Sequence, residues 1–158
     1  MLRIPDMALM GRRLCYGVVR QDSPNRRLPM SKLRHVALIV NDPEKSAVFY
    51  EQAFGMTRCG KARRGIYMTD GVMNLALLKR ESEKERIGVF HFGMWVDDLD
   101  QAEESVLANG GSYLGGRPDA SLTTGHAEAA NSFYEAKYRD PDGIVFDVTH
   151  TGWAGAVK

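Results

Sequence analysis

Several residues have side chains capable of chemistry and recur in a pattern. His35 and His91 sit in stretches of matching character 56 residues apart. Two turn motifs, Asp70–Gly71 and Asp140-Pro-Asp-Gly143, lead within a few residues to Asn74 and to Asp147. Glu135, Lys137, Trp95 and His126 complete the set. Imidazoles and carboxylates ligate divalent cations and carry protons. A lysine beside them can clamp an anion, and a tryptophan can stack on a flat molecule. Each also has a plain structural reading: a histidine satisfied in a core, a Lys–Asp pair across two strands, a solvated histidine in a loop, a tryptophan filling a cleft floor. The elements that position these residues decide between the readings.

Arg34–Val40 (RHVALIV) alternates and is β-branched, which predicts a strand. Asn41-Asp-Pro43 starts a helix, with proline near its first position. The helix runs over Glu44–Phe54, with Ala47, Val48, Tyr50, Glu51 and Phe54 on one face, and stops at Gly55. Thr57–Lys61, Gly65–Thr69 and Met73–Lys79 are shorter strands, the last two joined by a turn at Asp70–Gly71.

The pattern then repeats. His35-Val-Ala-Leu-Ile-Val-Asn-Asp falls on His91-Phe-Gly-Met-Trp-Val-Asp-Asp at an offset of 56, and Gly55 falls on Gly111. A helix over Leu99–Ala108 replaces Glu44–Phe54. Asp70–Gly71 matches Asp142–Gly143 at an offset of 72, and Asn74 matches Asp147 at 73. About 17 extra residues, rich in Gly, Ser, Thr and Ala, lie within Gly115–Ser132 and include His126. The chain is therefore an α+β domain over 32–152, built of two βαβββ modules, 32–80 and 88–150. A charged linker at 81–87 joins them, and residues 153–158 form a C-terminal tail. Two such modules make a curved, mostly antiparallel sheet whose open face lines a cleft.

Alternation assigns the faces. The apolar sets Val36/Leu38/Val40 and Phe92/Met94/Val96 pack on the helices, which turns His35 and His91 into the cleft, with Trp95 on the same face. A type I turn at Asp140-Pro-Asp-Gly143, with Gly143 left-handed, places Asp147 opposite Lys137. It puts Glu135, Lys137 and Asp147 on one face, and Tyr134, Tyr138, Ile144, Phe146 and Val148 on the helix side. Two histidines at equivalent places of a repeat, on one face, read as a pair with a joint role.

At 158 residues, 44% apolar and 26% charged, the chain has the size and composition of one globular domain. A net charge of +1 gives no argument for nucleic acid or a membrane surface, and no apolar run is long enough to span a bilayer. Two cysteines, Cys15 and Cys59, make no disulfide framework, so a reducing cytoplasm is expected. Of 21 basic and 20 acidic residues, eight and two fall in residues 1–34, leaving 13 and 18, a net of −5, for the rest. Residues 1–31 read as a flexible basic arm interrupted by Pro5, Pro24 and Pro29. It faintly resembles a targeting leader, and Met30 is an alternative start.

These motifs resemble the vicinal oxygen chelate superfamily: glyoxalase I, bleomycin and fosfomycin resistance proteins, methylmalonyl-CoA epimerase and type I extradiol dioxygenases. The resemblance runs from Leu33 to about His150. It rests on His35-Val-Ala-Leu-Ile-Val…Ser46…Phe49-Tyr50…Phe54-Gly55-Met56, on Gly88-Val-Phe-His91-Phe-Gly, and on Asp140-Pro-Asp-Gly143…Asp147. Phe90 stands where the family prefers Gly or His. The resemblance implies two βαβββ modules around a divalent metal (Fe, Mn, Ni or Zn), with ligands on the first and last strand of each module. Here those positions are His35, Asn74, His91 and Asp147. Glyoxalase I usually has His or Gln, Glu, His and Glu, so Asn74 replaces a carboxylate and Asp147 is one methylene shorter than Glu.

Two imidazoles and one carboxylate form a facial set with open positions, suited to iron(II) or manganese and to a substrate bound through vicinal oxygens. Asn74 is then a weak ligand or a partner of one. With glutamate gone from that position, Glu135 is the nearest replacement base on the same face. Lys137 clamps an anionic substrate or pairs with Asp147 in a metal-free site. His126 is a lid or acid–base residue, or a solvated one. The extradiol pattern wants tyrosine where Lys137 stands, and Tyr138 is one position off. The leading expectation is a metal-dependent glyoxalase- or epimerase-like lyase or isomerase acting on a small molecule as a homodimer. The rivals are a ring-cleaving dioxygenase and a metal-free ligand-sequestering protein.

Overall fold

The computed structural model describes residues 30–116 and 135–158. Residues 1–29 of the arm, and 117–134 with His126 and Tyr134, lie outside the described residues. The first module contains β1 (Lys32–Val40), α1 (Pro43–Phe54), β2 (Thr57–Ala62), β3 (Gly65–Thr69) and β4 (Asn74–Lys79). The second contains β5 (Gly88–Trp95), α2 (Leu99–Ala108), β6 (Ser112–Gly115), β7 (Ala136–Arg139) and β8 (Val145–Thr149). Among the described residues no helix is long and apolar enough to cross a membrane.

All eight strands form one sheet in the order β2-β3-β4-β1-β5-β8-β7-β6. The first and last strands of each module pair in parallel, β1 with β4 and β5 with β8, because a helix and a hairpin carry the chain between them. The two modules join antiparallel through β1 and β5. The four central strands therefore carry His35, Asn74, His91 and Asp147 side by side. The halves differ in register. His35 lies opposite Asn74, but Asp147 lies opposite Gly93, two residues beyond His91. An even shift keeps every side chain on its face.

Local chemistry sets the boundaries. Asp42 Oδ1 accepts the amides of Glu44 (3.0 Å) and Lys45 (3.2 Å), capping α1. Gly55, at φ 68°, ends the helix in the left-handed conformation. In the last hairpin Gly143 (φ 86°) donates to Asp140 O, and Asp140 N to Ile144 O, which fixes Lys137 opposite Asp147.

Each helix covers its own half of the sheet. Ala47 packs on Ile66, Met68 and Leu77, flanked by Leu38, Val40 and Tyr50. Ala102 packs with Val96, Ala136, Tyr138 and Val148, flanked by Met94 and Phe146. Two expectations about faces are corrected. Val48 and Phe54 are exposed, because α1 meets the sheet through the narrower stripe of Ala47 and Tyr50. Ile144 is exposed at the hairpin tip, before β8 reaches the helix. The charged linker is exposed at every residue but Glu85, and two arginines tie it down. Arg80 Nε donates to Ser82 O and Glu85 O, and Arg64 from the β2–β3 turn pairs with Glu81 and Glu85.

The C-terminal residues, expected as a tail outside the domain, turn back across the sheet. Trp153 is 3% exposed. Ala154 O accepts from Asn74 Nδ2 (2.8 Å), Gly155 O from Thr69 Oγ1 (2.6 Å), and Val157 O from Arg34 Nε. Val157 N donates to Val72 O, and Lys158 Nζ to Val96 O.

Candidate metal centre and its cavity

The open face of the sheet holds a cavity of about 330 Å³ lined by His35, Tyr67, Arg64, Phe90, His91 and Glu135 among others. His35 on β1 and His91 on β5 come from adjacent strands, and their Nε2 atoms are 3.3 Å apart. Asp147 on β8 brings Oδ2 to 3.2 Å from His91 Nε2. One donor atom from each of the three residues lies within 4.8 Å of the others, and all three residues are buried. Donors about 2.1 Å from one ion and at right angles to each other stand roughly 3 Å apart. The two spacings made by His91 are close to that value, and the three groups together make a set that could hold a single divalent cation.

The outer hydrogen bond of His35 favours the same use. Asn74 is fully buried, and its Nδ2 donates to Ala154 O, which turns Oδ1 to His35 Nδ1 at 2.7 Å. His35 then donates from Nδ1 and keeps the Nε2 lone pair towards His91. Asn74 is thus the partner that orients His35, on the side of the ring away from the cluster. Burial and the nearby His91 push His35 down to about 4, against the raising effect of its bond to Asn74, so the ring is neutral near pH 7. His91 Nδ1 is buried with no hydrogen-bond partner among the described residues.

Lys137 and Glu135 flank the cluster from β7 and the residue before it. Lys137 Nζ lies 2.7 Å from both Asp147 oxygens. Burial opposes the Asp147 charge, yet the His91 hydrogen bond and the Lys137 ammonium hold its pKa below the usual carboxylate value. Glu135 is the reverse. Burial, then the neighbouring Asp147 charge, raise its pKa. Its Oε1 accepts from Trp153 Nε1, and its Oε2 is 3.8 Å from Lys137 Nζ.

The structure thus brings together His35, His91, Asp147, Asn74, Glu135 and Lys137. Trp95, expected on the cleft wall, stands apart from the cavity. Its Nε1 donates to His150 O (3.1 Å), and its ring lies against Gly152 and near the Lys158 ammonium. β5 has run past the cavity by that point. The tryptophan at the site is Trp153, stacked on His35 with centroids 4.9 Å apart and planes at 9°. Sequence reasoning missed it. The available signal was Gly93, a glycine inside β5 on the site face: a Cβ there would lie 2.5 Å from the Trp153 ring. Tyr67 on β3 also lines the cavity and was not foreseen.

A protein-family profile described as Glyoxalase/Bleomycin resistance protein/Dioxygenase superfamily matches residues 32–148. No curated protein matches the chain significantly. Similar solved structures include methylmalonyl-CoA epimerase from Mycobacterium tuberculosis, at 15% identity over 74% of this chain and 85% of that one, TM-score 0.54. The Mn(II)-bound glyoxalase from Novosphingobium aromaticivorans is 20% identical over 82% of this chain and 42% of that one, TM-score 0.55. The 2,3-dioxygenase LapB from Pseudomonas sp. KL28 is 16% identical over 79% of this chain and 42% of that one, TM-score 0.55. At these identities the structures speak for the fold. With the profile spanning both modules, the chain belongs to the glyoxalase/bleomycin resistance protein/dioxygenase superfamily.

Proposed function

We propose that this protein is a metal-dependent enzyme that moves a proton at a carbon next to a carbonyl, in a small substrate presenting two neighbouring oxygens. It is a lyase or isomerase of the glyoxalase I or epimerase kind. The observation that carries the reading is the convergence of His35, His91 and Asp147 beside a cavity whose wall also presents Glu135. The three would hold a divalent cation (Fe, Mn, Ni or Zn), and a cation there supplies Lewis-acid polarisation of the substrate oxygens. Asn74 keeps His35 in the tautomer with Nε2 free. Glu135 is the base: its raised pKa brings it closer to working pH, and Trp153 holds one oxygen so that the other is left for the proton. Tyr67 and Phe90 shape the cavity around the substrate. The reading includes a homodimer, which light scattering tests, and a cytoplasmic setting.

Metal analysis of protein purified without chelator and then reconstituted should give about one equivalent, lost in His91→Ala. In deuterated water, 2-oxo and 2-hydroxy acyl compounds should exchange the adjacent C–H with wild type and not with Glu135→Gln. Metal uptake without exchange, but with oxygen consumption on catechols, would move the chain to the ring-cleaving dioxygenases, whose two-His-one-carboxylate set Asn74's position also allows. A second reading, a metal-free ligand-sequestering protein, is favoured by Lys137, which already neutralises Asp147. No metal uptake would establish it over both enzymes.

A further inference from the structure

Lys137 lies between two carboxylates. Its Nζ is 2.7 Å from each oxygen of Asp147, which is fully buried, and 3.8 Å from Glu135 Oε2. Glu135 and Lys137 are two residues apart on one strand face, so both project towards the same side. Trp153 anchors Glu135 through Oε1, leaving Oε2 facing the ammonium. The lysine side chain is 41% exposed and flexible, and its Nζ needs only about an ångström of travel to exchange one carboxylate for the other. A cation held by His35, His91 and Asp147 must take an Asp147 oxygen that Lys137 already bonds. Two positive charges on one buried carboxylate repel each other, so the cation and the ammonium compete for it.

We propose that Lys137 is an internal competitor that sets the cation affinity of this site, seated on Asp147 when no cation is held and moving to Glu135 when one is. The inference rests on the metal reading above. In the substrate-free site it makes Glu135 the counter-charge for the displaced ammonium, which must swing out towards solvent before that oxygen takes a substrate proton.

Calorimetric titration of the chelator-treated full chain with Mn²⁺ tests it, using wild type, Lys137→Met, Lys137→Arg and Glu135→Gln. Lys137→Met should bind Mn²⁺ about tenfold more tightly or better, and Lys137→Arg no more tightly than wild type. Glu135→Gln should bind it several-fold more weakly, because the ammonium loses its second seat. Equal or weaker binding by a folded Lys137→Met, beside a wild type that binds, overturns the inference and leaves the metal reading standing. If Lys137→Met does not fold, Glu135→Gln decides: unchanged affinity overturns the proposal, and weakened affinity with Lys137→Arg near wild type supports it. If no variant and no wild type takes up Mn²⁺, both readings fall together.

Discussion

The contact between Gly93 and Trp153 offers a sharp test of how the site is built. Gly93 faces the site from β5, and a Cβ there would sit 2.5 and 2.6 Å from two carbons of the Trp153 ring and 3.0 Å from His35 Cβ. Carbon atoms meet comfortably at about 3.5 Å, so Gly93→Ala must push the indole back by roughly 1 Å. The indole has little room, being 3% exposed and stacked on His35. Overpacking of this kind costs about 1–3 kcal/mol, and loss of the Trp153–Glu135 hydrogen bond adds about 1 kcal/mol. A total of roughly 2–4 kcal/mol should lower the melting temperature by on the order of 10 °C. Most of the cost should vanish without the tryptophan. In a Trp153→Ala background only the 3.0 Å approach to His35 Cβ remains, and alanine is better than glycine within a strand, so Gly93→Ala should cost less than about 0.5 kcal/mol. Urea unfolding of the four chains of this cycle, followed by circular dichroism, measures the coupling, expected at about 2 kcal/mol or more. A cost below about 0.5 kcal/mol in the wild-type background, or the same cost in both, would refute the claim that the strand carries glycine to admit Trp153.

Three further outcomes follow from named contacts. Asn74→Ala leaves His35 Nδ1 and Ala154 O without their partner and should weaken divalent-cation binding about ten- to a hundredfold in a calorimetric titration. Gly152→Ala should cost far more than Gly143→Ala in thermal unfolding: both glycines have positive φ, but a Cβ at 152 would lie 2.3 Å from the Trp95 ring while one at 143 meets nothing within 4 Å. Asp70 accepts the amides of Val72 and Met73, and these bonds hold its pKa down. The stabilisation is therefore present above the unfolded carboxylate value and lost as pH falls through the folded one. Asp70→Ala should destabilise at pH 7, by about 1 kcal/mol or less at this exposed site, and the loss should be smaller at pH 2. An equal effect at both pH values would contradict that origin.

What was legible in the chain was local and periodic. Alternation in β1 and β5 assigned His35 and His91 to one face, and the glycine turn before β8 fixed Lys137 opposite Asp147, because a turn type dictates its own pairing. Asn74 and Asp147 were found as counterparts in a repeat, though their strand partners differ by two residues, a shift that no periodicity reveals. The C-terminal segment was illegible for a different reason. Its hydrogen bonds reach back 80 residues to Asn74 and 123 to Arg34. It forms no strand whose spacing would announce a packed face. The helix stripe failed at Val48 and Phe54 because periodicity says which residues share a side, not how wide a strip the sheet touches.

The divergence between the two halves accounts for the division of labour at the site. A duplicated module supplies equivalent positions, and if both pairs were His and carboxylate, the cluster would hold two anions, each free to ligate and to take a proton. Here the equivalence survives for the histidines and is broken between Asn74 and Asp147. A neutral amide cannot serve as a base and contributes little as a ligand, but it accepts one hydrogen bond while donating another, and Asn74 does both between His35 and Ala154. The second negative charge has moved to Glu135, outside the repeated positions, where the C-terminal Trp153 holds one oxygen and Lys137 faces the other. On the proposed reading, ligation by Asp147 and proton transfer by Glu135 belong to separate carboxylates. Replacing Asn74 by aspartate would then add a charge beside His35 without supplying the base that Glu135→Gln removes.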